Sequence, residues 1–518
     1  MAKKLLRSFA LMLIVCMVMS SFMITRAEEV PNAKPPIATI ESGDLRGFVE
    51  DGIYTFLGIP YATAGRFEQP QKVEPWEGVR DAQAYGPICP IVNTTTVSAN
   101  AFPWPRRYWV QNEDCMNLNV WTPSLDKDAK KPVMVFFHGG GMTNGSSIEG
   151  VDYDGKNLSE YGDVVVVTVN HRLNVLGCLD LSAYGEEYKN SGNIVMADLV
   201  ASLQWVHDNI EVFGGDPSRV LIFGQSGGSS KTANMYYIPA ADGLYSCGIG
   251  LSAGSPSTTP KGESAKVAAR MLEILGLTAE EVDVLKTLPY EELIAVGNQA
   301  MEDVGARSWG PMVDNEYMFD EMTDYGKTCP YICGSVFSEW SGTVHKGIKD
   351  KNFWSDEKVD EELTNAYGDQ KDAVVDEFLK LFPNKKIQDV MFYHNRNTDA
   401  VQKAYDQSNS NVYHYLFSFE APVNGGITAF HGGELHYFFH NVGMRDITIA
   451  TGGTPECYKM QDIIVNAMLN LVKTGDPSQE GLEWKPWTPD GLETMIFDED
   501  ARCVSFDDTA LDNLIFAE

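Results

Sequence analysis

A buried strand that runs directly into a glycine-flanked serine constrains this chain more than any other feature. Residues 220–223 read Val-Leu-Ile-Phe, and Gly224-Gln-Ser226-Gly-Gly228 follows, before small residues that can open a helix. Such a strand-to-helix turn is so sharp that its flanking positions must be small, and the serine hydroxyl then projects above the sheet edge. The segment therefore predicts that Ser226 is a nucleophile.

Four short runs are apolar throughout rather than alternating, which is typical of parallel strands buried on both faces. They lie at residues 133–137, 164–169, 220–223 and 412–416. Between the second and the third, residues 197–213 carry apolar side chains at helical spacing. This alternation of strand and helix predicts an α/β layered domain. Residues 266–298 read as helical without a strand, and we interpret them as a helical insertion or cap.

The N-terminus has the layout of a secretory signal peptide. A basic start precedes an apolar run at residues 9–24, and the small Ala27 stands before two glutamates. We expect residues 1–27 to be removed and residues 28–518 to be exported, either secreted or associated with the cell envelope, as one catalytic domain. An uncleaved N-terminal anchor is the alternative, although the run is shorter than the about 20 apolar residues of a membrane span.

The strong acidic excess excludes some partners. The formal net charge is −32, and loss of the four basic residues of the signal peptide would move it to −36. So acidic a surface repels nucleic acid and anionic membranes and favours solubility. We therefore expect a small-molecule substrate, no nucleic-acid partner and no stable membrane insertion after cleavage. The oligomeric state is left open by the sequence.

A glycine loop lies upstream of the serine. Acyl transfer needs hydrogen-bond donors for the oxyanion, and this loop can supply them. His138-Gly139-Gly140-Gly141 directly follows the apolar run at residues 133–137. Glycines in this position let backbone N–H groups approach the substrate oxygen, as in the HGGG-type loop of esterases and lipases.

A serine also needs a general base, and in this kind of fold the acid and then the histidine follow it along the chain. The histidines after Ser226 are His345, His394, His414, His431, His436 and His440. We favour His431, because it lies in a glycine-containing loop after a predicted strand. His414 lies inside that apolar strand and is interpreted as a core histidine.

The acid is not decided by pattern. A candidate must follow a strand between the serine and the histidine, and both Glu339 and Asp314 satisfy this condition. Spacing alone leaves the two open.

Several separate motifs resemble the type B carboxylesterases, which include the cholinesterases and bacterial carboxylesterases. Residues 213–228 match the family's nucleophile signature, and residues 113–121 resemble its second signature, with Met116 where leucine is usual. Further matching landmarks lie at residues 58–62, 169–173 and 475–477. The resemblance covers nearly the whole mature chain. It implies the α/β-hydrolase fold, a large mostly parallel sheet flanked by helices, with helical cap insertions.

The resemblance also implies the roles of the site residues. Glu339 stands where the family places its acid, and His431 opens the family's His-Gly-x-Glu-Leu motif. The implied triad is Ser226, Glu339 and His431. The oxyanion donors correspond to the N–H groups of Gly140, Gly141 and Gly227. The implied reaction needs no metal and no organic cofactor.

Structural pairs are implied in the same way. Cys89 and Cys115 fall where the family closes a loop by a disulfide. Two buried ion pairs are expected, namely Arg66 with Glu113 and Arg172 with Asp198.

Departures from the family pattern narrow the range of substrates but do not identify one. Gln225 replaces a glutamate that many relatives carry before the serine, which weakens the case for a cationic choline ester. Trp340 replaces a usual glycine after the acid, so the acid loop is expected to pack differently. A secreted serine carboxylesterase is the predicted function. The alternatives are a non-catalytic, cholinesterase-like adhesion protein and, within hydrolases, a lipase or a hydroxycinnamoyl esterase.

Overall fold

The framework of the protein is a large sheet, seen in a computed structural model that describes residues 34–91, 101–252, 254–394 and 398–516. In those ranges the strands form an 11-stranded sheet and a separate 3-stranded sheet. The predicted signal peptide, residues 1–27, lies outside the described residues. From Ile37 onward the chain packs as one compact unit. Within the ranges given above, no helix is both long and apolar enough to cross a membrane.

The strands and their order define the sheets. In chain order they are β1 (Ile37–Ile40), β2 (Gly43–Arg46), β3 (Phe48–Glu50), β4 (Ile53–Pro60), β5 (Val79–Asp81), β6 (Asn117–Thr122), β7 (Lys131–Phe137), β8 (Val165–Val169), β9 (Gly215–Gln225), β10 (Cys247–Leu251), β11 (Tyr331–Val336), β12 (Val412–Phe417), β13 (Glu493–Phe497) and β14 (Arg502–Ser505). The large sheet has the order β14-β13-β12-β11-β10-β9-β7-β8-β6-β4-β3, and the small one β1-β2-β5. All pairs from β8 across to β13 are parallel, whereas the flanking strands pair antiparallel.

The four buried strands predicted from apolar runs are confirmed as β7, β8, β9 and β12. Successive side chains of β7 enter opposite layers: Val133 and Val135 belong to one hydrophobic core, and Met134 and Phe136 to the other. Full burial of a side chain of this size contributes about 1.5–3 kcal/mol. Each central strand therefore stabilises both layers, which explains why its sequence does not alternate.

Helices cover both faces of the large sheet. In chain order they are α1 (Lys156–Gly162), α2 (Asn174–Cys178), α3 (Ile194–Asn209), α4 (Gly227–Met235), α5 (Glu263–Leu275), α6 (Tyr290–Val304), α7 (Thr343–Lys346), α8 (Asp356–Tyr367), α9 (Lys371–Leu381), α10 (Asp399–Gln407), α11 (Leu435–Phe438), α12 (Arg445–Thr451), α13 (Pro455–Thr474) and α14 (Thr509–Phe516). Helix α3 confirms the predicted helical stretch, and α5 and α6 occupy the predicted insertion. Leu199 of α3 packs in one core and Ile464 of α13 in the other.

The parallel strands bring distant segments to one edge. Strands β7, β9, β11 and β12 all run in the same direction, so their C-terminal ends lie at the same edge of the sheet. His138 follows β7, Ser226 follows β9, Glu339 comes shortly after β11, and His431 lies in the loop after β12. This edge is where open α/β sheets place their ligands.

The structure does not contain the disulfide predicted between Cys89 and Cys115, because both are buried free thiols. The Leu173 N–H donates to the sulfur of Cys89, 3.2 Å away. A hydrogen bond with the Cys89 thiol, together with burial, raises the pKa of Cys115 well above its usual value. A thiol held protonated in this way is a poor nucleophile for disulfide formation.

Both predicted ion pairs are present; Arg172–Asp198 is buried, whereas Glu113 of the other pair is only half-buried. The guanidinium of Arg66 binds Glu113 through two hydrogen bonds of 2.6 and 2.5 Å, and Arg172 binds the fully buried Asp198 at 2.9 and 2.6 Å. This two-pronged geometry is the strong form of a charge-assisted hydrogen bond. The first pair joins two loops, and the second joins a loop to α3.

Candidate active site

Ser226 occupies a strained turn between β9 and α4. Its backbone has φ 57° and ψ −121°, a conformation that non-glycine residues rarely adopt. Strain of this kind costs roughly 1–3 kcal/mol and persists only where the surroundings enforce it. The Ser226 N–H donates to the Leu251 carbonyl at 2.8 Å, and its own carbonyl accepts from the Ser230 N–H at 3.1 Å. The turn is therefore fixed to β10 on one side and to the helix on the other.

The glycines around the serine allow the close approach that the turn requires. A Cβ on Gly228 would lie 2.0 Å from the Phe137 carbonyl oxygen, and one on Gly224 would lie 2.4 Å from the Gly228 carbonyl. No real side chain fits at such distances. The start of α4 consequently rests directly on the end of β7.

The three predicted oxyanion glycines come together beside this turn. The position of a Cβ on Gly227 lies 2.4 Å from both N and Cα of Gly141, so these two backbones touch. Gly140 and Gly141 have φ values of 84° and 63°, which favour glycine. The Gly140 carbonyl accepts from the Asn144 N–H at 3.0 Å. Since C=O and N–H point in opposite directions in a trans peptide, the Gly141 N–H points away from that bond.

His431 and Glu339 form a buried pair. The His431 Nδ1 lies 2.5 Å from the Glu339 Oε2, and the His431 N–H donates to the Glu339 carbonyl at 3.1 Å. The second carboxylate oxygen of Glu339 accepts from the Val336 N–H at 3.0 Å. Glu339 itself has φ 31°. The acid is thus held at both oxygens, and the imidazole presents its Nε2 elsewhere.

The Nε2 of His431 is buried and, among the described residues, has no hydrogen-bond partner. It does not bond to the Ser226 hydroxyl in this structure. Catalytic hydrogen bonds are often long in ligand-free structures and shorten when substrate binds. A ring nitrogen that is desolvated and unpaired at the same sheet edge as the serine is suited to accept a proton there.

Trp340, which directly follows the acid, packs against His431. Its ring centroid lies 4.2 Å from that of His431, with the planes 31° apart, while 61% of the residue stays exposed. The indole therefore covers one face of the imidazole. This contact limits the rotation of the imidazole ring.

A second carboxyl group lies behind the pair. Glu434 is fully buried, and one of its oxygens accepts from the Ser252 hydroxyl. Burial, together with the charge of Glu339, raises the pKa of Glu434 to about 7. Near neutral pH this group is therefore only partly ionised, which reduces the negative charge beside His431.

The other candidates from the sequence lie elsewhere. Asp314 accepts three backbone N–H groups of its own loop and the Asn193 amide, and it does not contact His431. His414 is buried in β12, as predicted. His436 pairs with Asp152, whereas His440 pairs with Asp462.

Sequence reasoning assigned no role to Glu434 or Ser252, although both lie close to the pair. Glu434 stands three residues after His431, in the motif that identified the histidine. A carboxylate in a segment of otherwise apolar and glycine residues was the available signal. Its partner Ser252 follows β10, and only the fold brings the two together.

A parallel sheet with a strained serine between strand and helix, a glycine loop beside it and an acid–histidine pair at the same edge define the class of α/β-hydrolases. Comparison with known proteins gives the family. Residues 34–509 match the Carboxylesterase family, and the chain belongs to it.

Individual relatives agree with this assignment. The chain is 32% identical over 485 residues to the para-nitrobenzyl esterase of Bacillus subtilis (strain 168), covering 90% of this chain and 95% of that protein. Among solved structures, an esterase from Clostridium hathewayi that can hydrolyse aliphatic aromatic polyesters superimposes with a TM-score of 0.85 at 37% identity, covering 94% of this chain and 98% of that one. A thermophilic para-nitrobenzyl esterase gives 0.73 at 27% identity, with 93% and 100% covered. The protein has the α/β-hydrolase fold and is a carboxylic ester hydrolase.

Proposed function

We propose that the protein is an exported serine carboxylesterase that works through an acyl-enzyme on Ser226. The observation that carries this proposal is the His431–Glu339 pair, whose free Nε2 lies at the sheet edge that also bears the strained serine. The Gly140, Gly141 and Gly227 backbones meet beside that serine.

The two-step reaction follows from these groups. The hydroxyl oxygen of Ser226 attacks the ester carbonyl while the Nε2 of His431 takes the proton, and Glu339 stabilises the resulting imidazolium. The glycine N–H groups hold the oxyanion. The C–O bond to the alcohol then breaks, and His431 gives its proton to the leaving oxygen. Water, activated by the same histidine, cleaves the acyl-enzyme and releases the acid.

A fluorophosphonate probe tests the proposal directly. We expect the wild-type protein to be labelled on the peptide that contains Ser226, because the probe reacts only with an activated serine. Absence of labelling, together with no turnover of p-nitrophenyl butyrate, would favour a non-catalytic adhesion protein instead.

Neutral esters with aromatic groups are the substrate class that the surroundings support. Gln225 is buried next to the serine and carries no charge that would attract a cation. The exposed side chains of Tyr108, Trp109 and Val110 lie in the segment whose Trp104 packs on Gly432, next to His431. The esterase of Clostridium hathewayi, which hydrolyses aliphatic aromatic polyesters, is a relative of the same architecture.

A substrate panel checks this choice. We expect phenyl and benzoate esters to have a higher kcat/KM than acetylthiocholine, because Gln225 beside the serine has no negative charge to attract a quaternary ammonium. Faster hydrolysis of acetylthiocholine would contradict the assignment. A sharp rise in rate on emulsified tributyrin would indicate a lipase, and a preference for ethyl ferulate would indicate a hydroxycinnamoyl esterase.

Gly228→Ala is expected to damage both activity and stability. Its Cβ would lie 2.0 Å from the Phe137 oxygen and 2.9 Å from that of His138, so the start of α4 must move off β7. Overpacking of this kind costs about 1–3 kcal/mol. A displacement near 1 Å at a catalytic centre lowers the rate about 10²-fold. Gly443→Ala is the control, because its Cβ would make ordinary contacts at 3.7 Å. Equal kcat/KM and melting temperature in the two variants would refute the prediction.

Export is tested by N-terminal sequencing of protein from the culture medium and from the cell envelope. Cleavage after Ala27 gives a mature chain that begins at Glu28. Protein that stays in the membrane fraction and begins before Ala27 would support the uncleaved anchor.

A further inference from the structure

Lys231 places an amine in the interior of the protein. The residue lies on α4, one turn after Gly228, and is fully buried. Its Nζ donates to the His138 carbonyl oxygen at 2.9 Å. In the described part of the chain, no carboxylate oxygen lies within 4 Å of this nitrogen. Burial of an unpaired cation is costly, so its presence directly behind the glycine loop calls for a reason.

Several titratable groups face Lys231, and among them Lys231 carries the positive charge. They are His138, His171, Glu149, Cys89 and Cys178. The rings of the two histidines stack with centroids 4.8 Å apart. Burial first, and the charge of Lys231 second, hold the pKa of both imidazoles well below the usual range. The carboxylate of Glu149 pairs with Arg106 at 3.1 Å.

The hydrogen bond of Lys231 is the first of three that hold carbonyl groups of the glycine loop. The His138 carbonyl accepts from Lys231, and the Gly139 carbonyl accepts from Nδ1 of the neutral His138 ring at 2.9 Å. The Gly140 carbonyl accepts from Asn144. The carbonyls of His138, Gly139 and Gly140 are therefore each held by a donor. Because C=O and N–H oppose each other in a trans peptide, the N–H groups of these peptides point away from those donors.

We propose that Lys231 is a positioning residue for the oxyanion hole: its ammonium holds the His138 carbonyl, keeps the glycine peptides turned toward the substrate oxygen and adds positive potential behind them. The inference rests on the proposed function. The charge matters most when the carbonyl oxygen becomes an oxyanion, so it stabilises the transition state more than the bound ester.

The protonation state of Lys231 then limits activity on the alkaline side. Burial lowers the pKa of Lys231 to about 7, opposed by Cys178, Glu149 and Cys89. The amine is charged below its pKa and neutral above it. Because the positive charge stabilises the oxyanion, we expect kcat/KM to fall as Lys231 loses its proton.

Lys231→Met tests the inference in the full-length enzyme with p-nitrophenyl butyrate across a pH series. We expect kcat to fall roughly 10- to 100-fold, less than or similar to the loss of one direct oxyanion donor, with KM little changed. The alkaline decline should disappear. Lys231→Gln keeps a donor without the charge, so it should retain part of kcat and also lose the alkaline decline.

Stability separates positioning from a structural role. The pKa of Lys231 is lower in the folded protein than in the unfolded chain, so the charged amine opposes folding below about pH 7, and the penalty is relieved as pH rises toward the unfolded value. At pH 6 the melting temperature of Lys231→Met should therefore be at least that of the wild type. A structural lysine would give the opposite result.

Lys385→Met is the matched control, because its amine also donates to a main-chain carbonyl, that of Ser418, at 2.7 Å. It should keep the wild-type pH profile. Wild-type kcat in Lys231→Met, or an alkaline decline that survives in it, overturns the inference while leaving ester hydrolysis intact. If Lys231→Met does not fold, the profiles of the wild type and of Lys231→Gln decide. No turnover by the wild type at any pH would instead refute the proposed function.

Discussion

Ser226→Ala should lower kcat for p-nitrophenyl acetate by about 10⁴- to 10⁶-fold, the loss expected when the nucleophile of such a triad is removed. The change deletes only the hydroxyl oxygen. Alanine can take the same backbone path, because the turn is enforced by the Leu251 carbonyl and the neighbouring glycines rather than by the serine side chain. The variant should therefore fold with a near-normal melting temperature. The remaining rate comes from the oxyanion donors and from substrate binding.

A control serine separates the loss of the nucleophile from a general cost of substitution. Ser246 lies just before β10, and its hydroxyl donates to the Val220 carbonyl at 3.1 Å, at the opposite end of the sheet from the site. Ser246→Ala should keep wild-type turnover and accept the fluorophosphonate label. Wild-type-like turnover by Ser226→Ala would exclude this serine as the nucleophile.

Glu339→Gln should lower kcat by about 10³- to 10⁴-fold, comparable with the loss of the buried acid in other triads. The carboxylate oxygen 2.5 Å from the His431 Nδ1 accepts a hydrogen bond from that nitrogen and stabilises the imidazolium. A glutamine turned to keep an oxygen toward the imidazole supplies no charge. A glutamine turned the other way presents an N–H and forces the proton onto Nε2, where it blocks the base. The carbonyl oxygen of the new amide can still accept from Val336, so the loop should keep its fold.

Asp314→Asn is the matched comparison, because spacing along the sequence did not decide which of the two residues is the acid of the triad. Asp314 organises its own loop through three backbone N–H groups. We expect this variant to lose some thermal stability and to retain most of its kcat. If Asp314→Asn abolishes turnover and Glu339→Gln does not, Glu339 is not the acid.

The central sheet was predictable because its strands are buried on both faces. Such strands are apolar on both faces, as residues 133–137 are, and that pattern can be recognised in the sequence without any contact information. Strands outside the central parallel sheet did not stand out. Strand β5, for example, is exposed at all three of its residues, so no hydrophobic pattern marks it.

The sequence predicts those parts of the site where the local geometry requires particular residue types. Only glycines fit around Ser226, so the turn can be recognised in the sequence as a motif. The acid has no such requirement, and Glu339 was distinguished from Asp314 by family resemblance alone. Other roles depend on contacts between residues that are remote in sequence, as for Lys231, Glu434 and Trp340. A lysine among the small residues of α4 was a visible signal, but its meaning depends on where His138 lies.

The arrangement of the site at one sheet edge has a consequence for synthesis of the chain. The glycine loop follows β7, whereas His431 comes after β12, so nearly 300 residues separate the first contributing group from the last. Contacts between such distant segments form late in folding, after the intervening chain has been ordered. A nascent or truncated chain that ends before residue 431 has a serine but no base. Hydrolytic activity therefore reports that the chain has been completed and its sheet assembled.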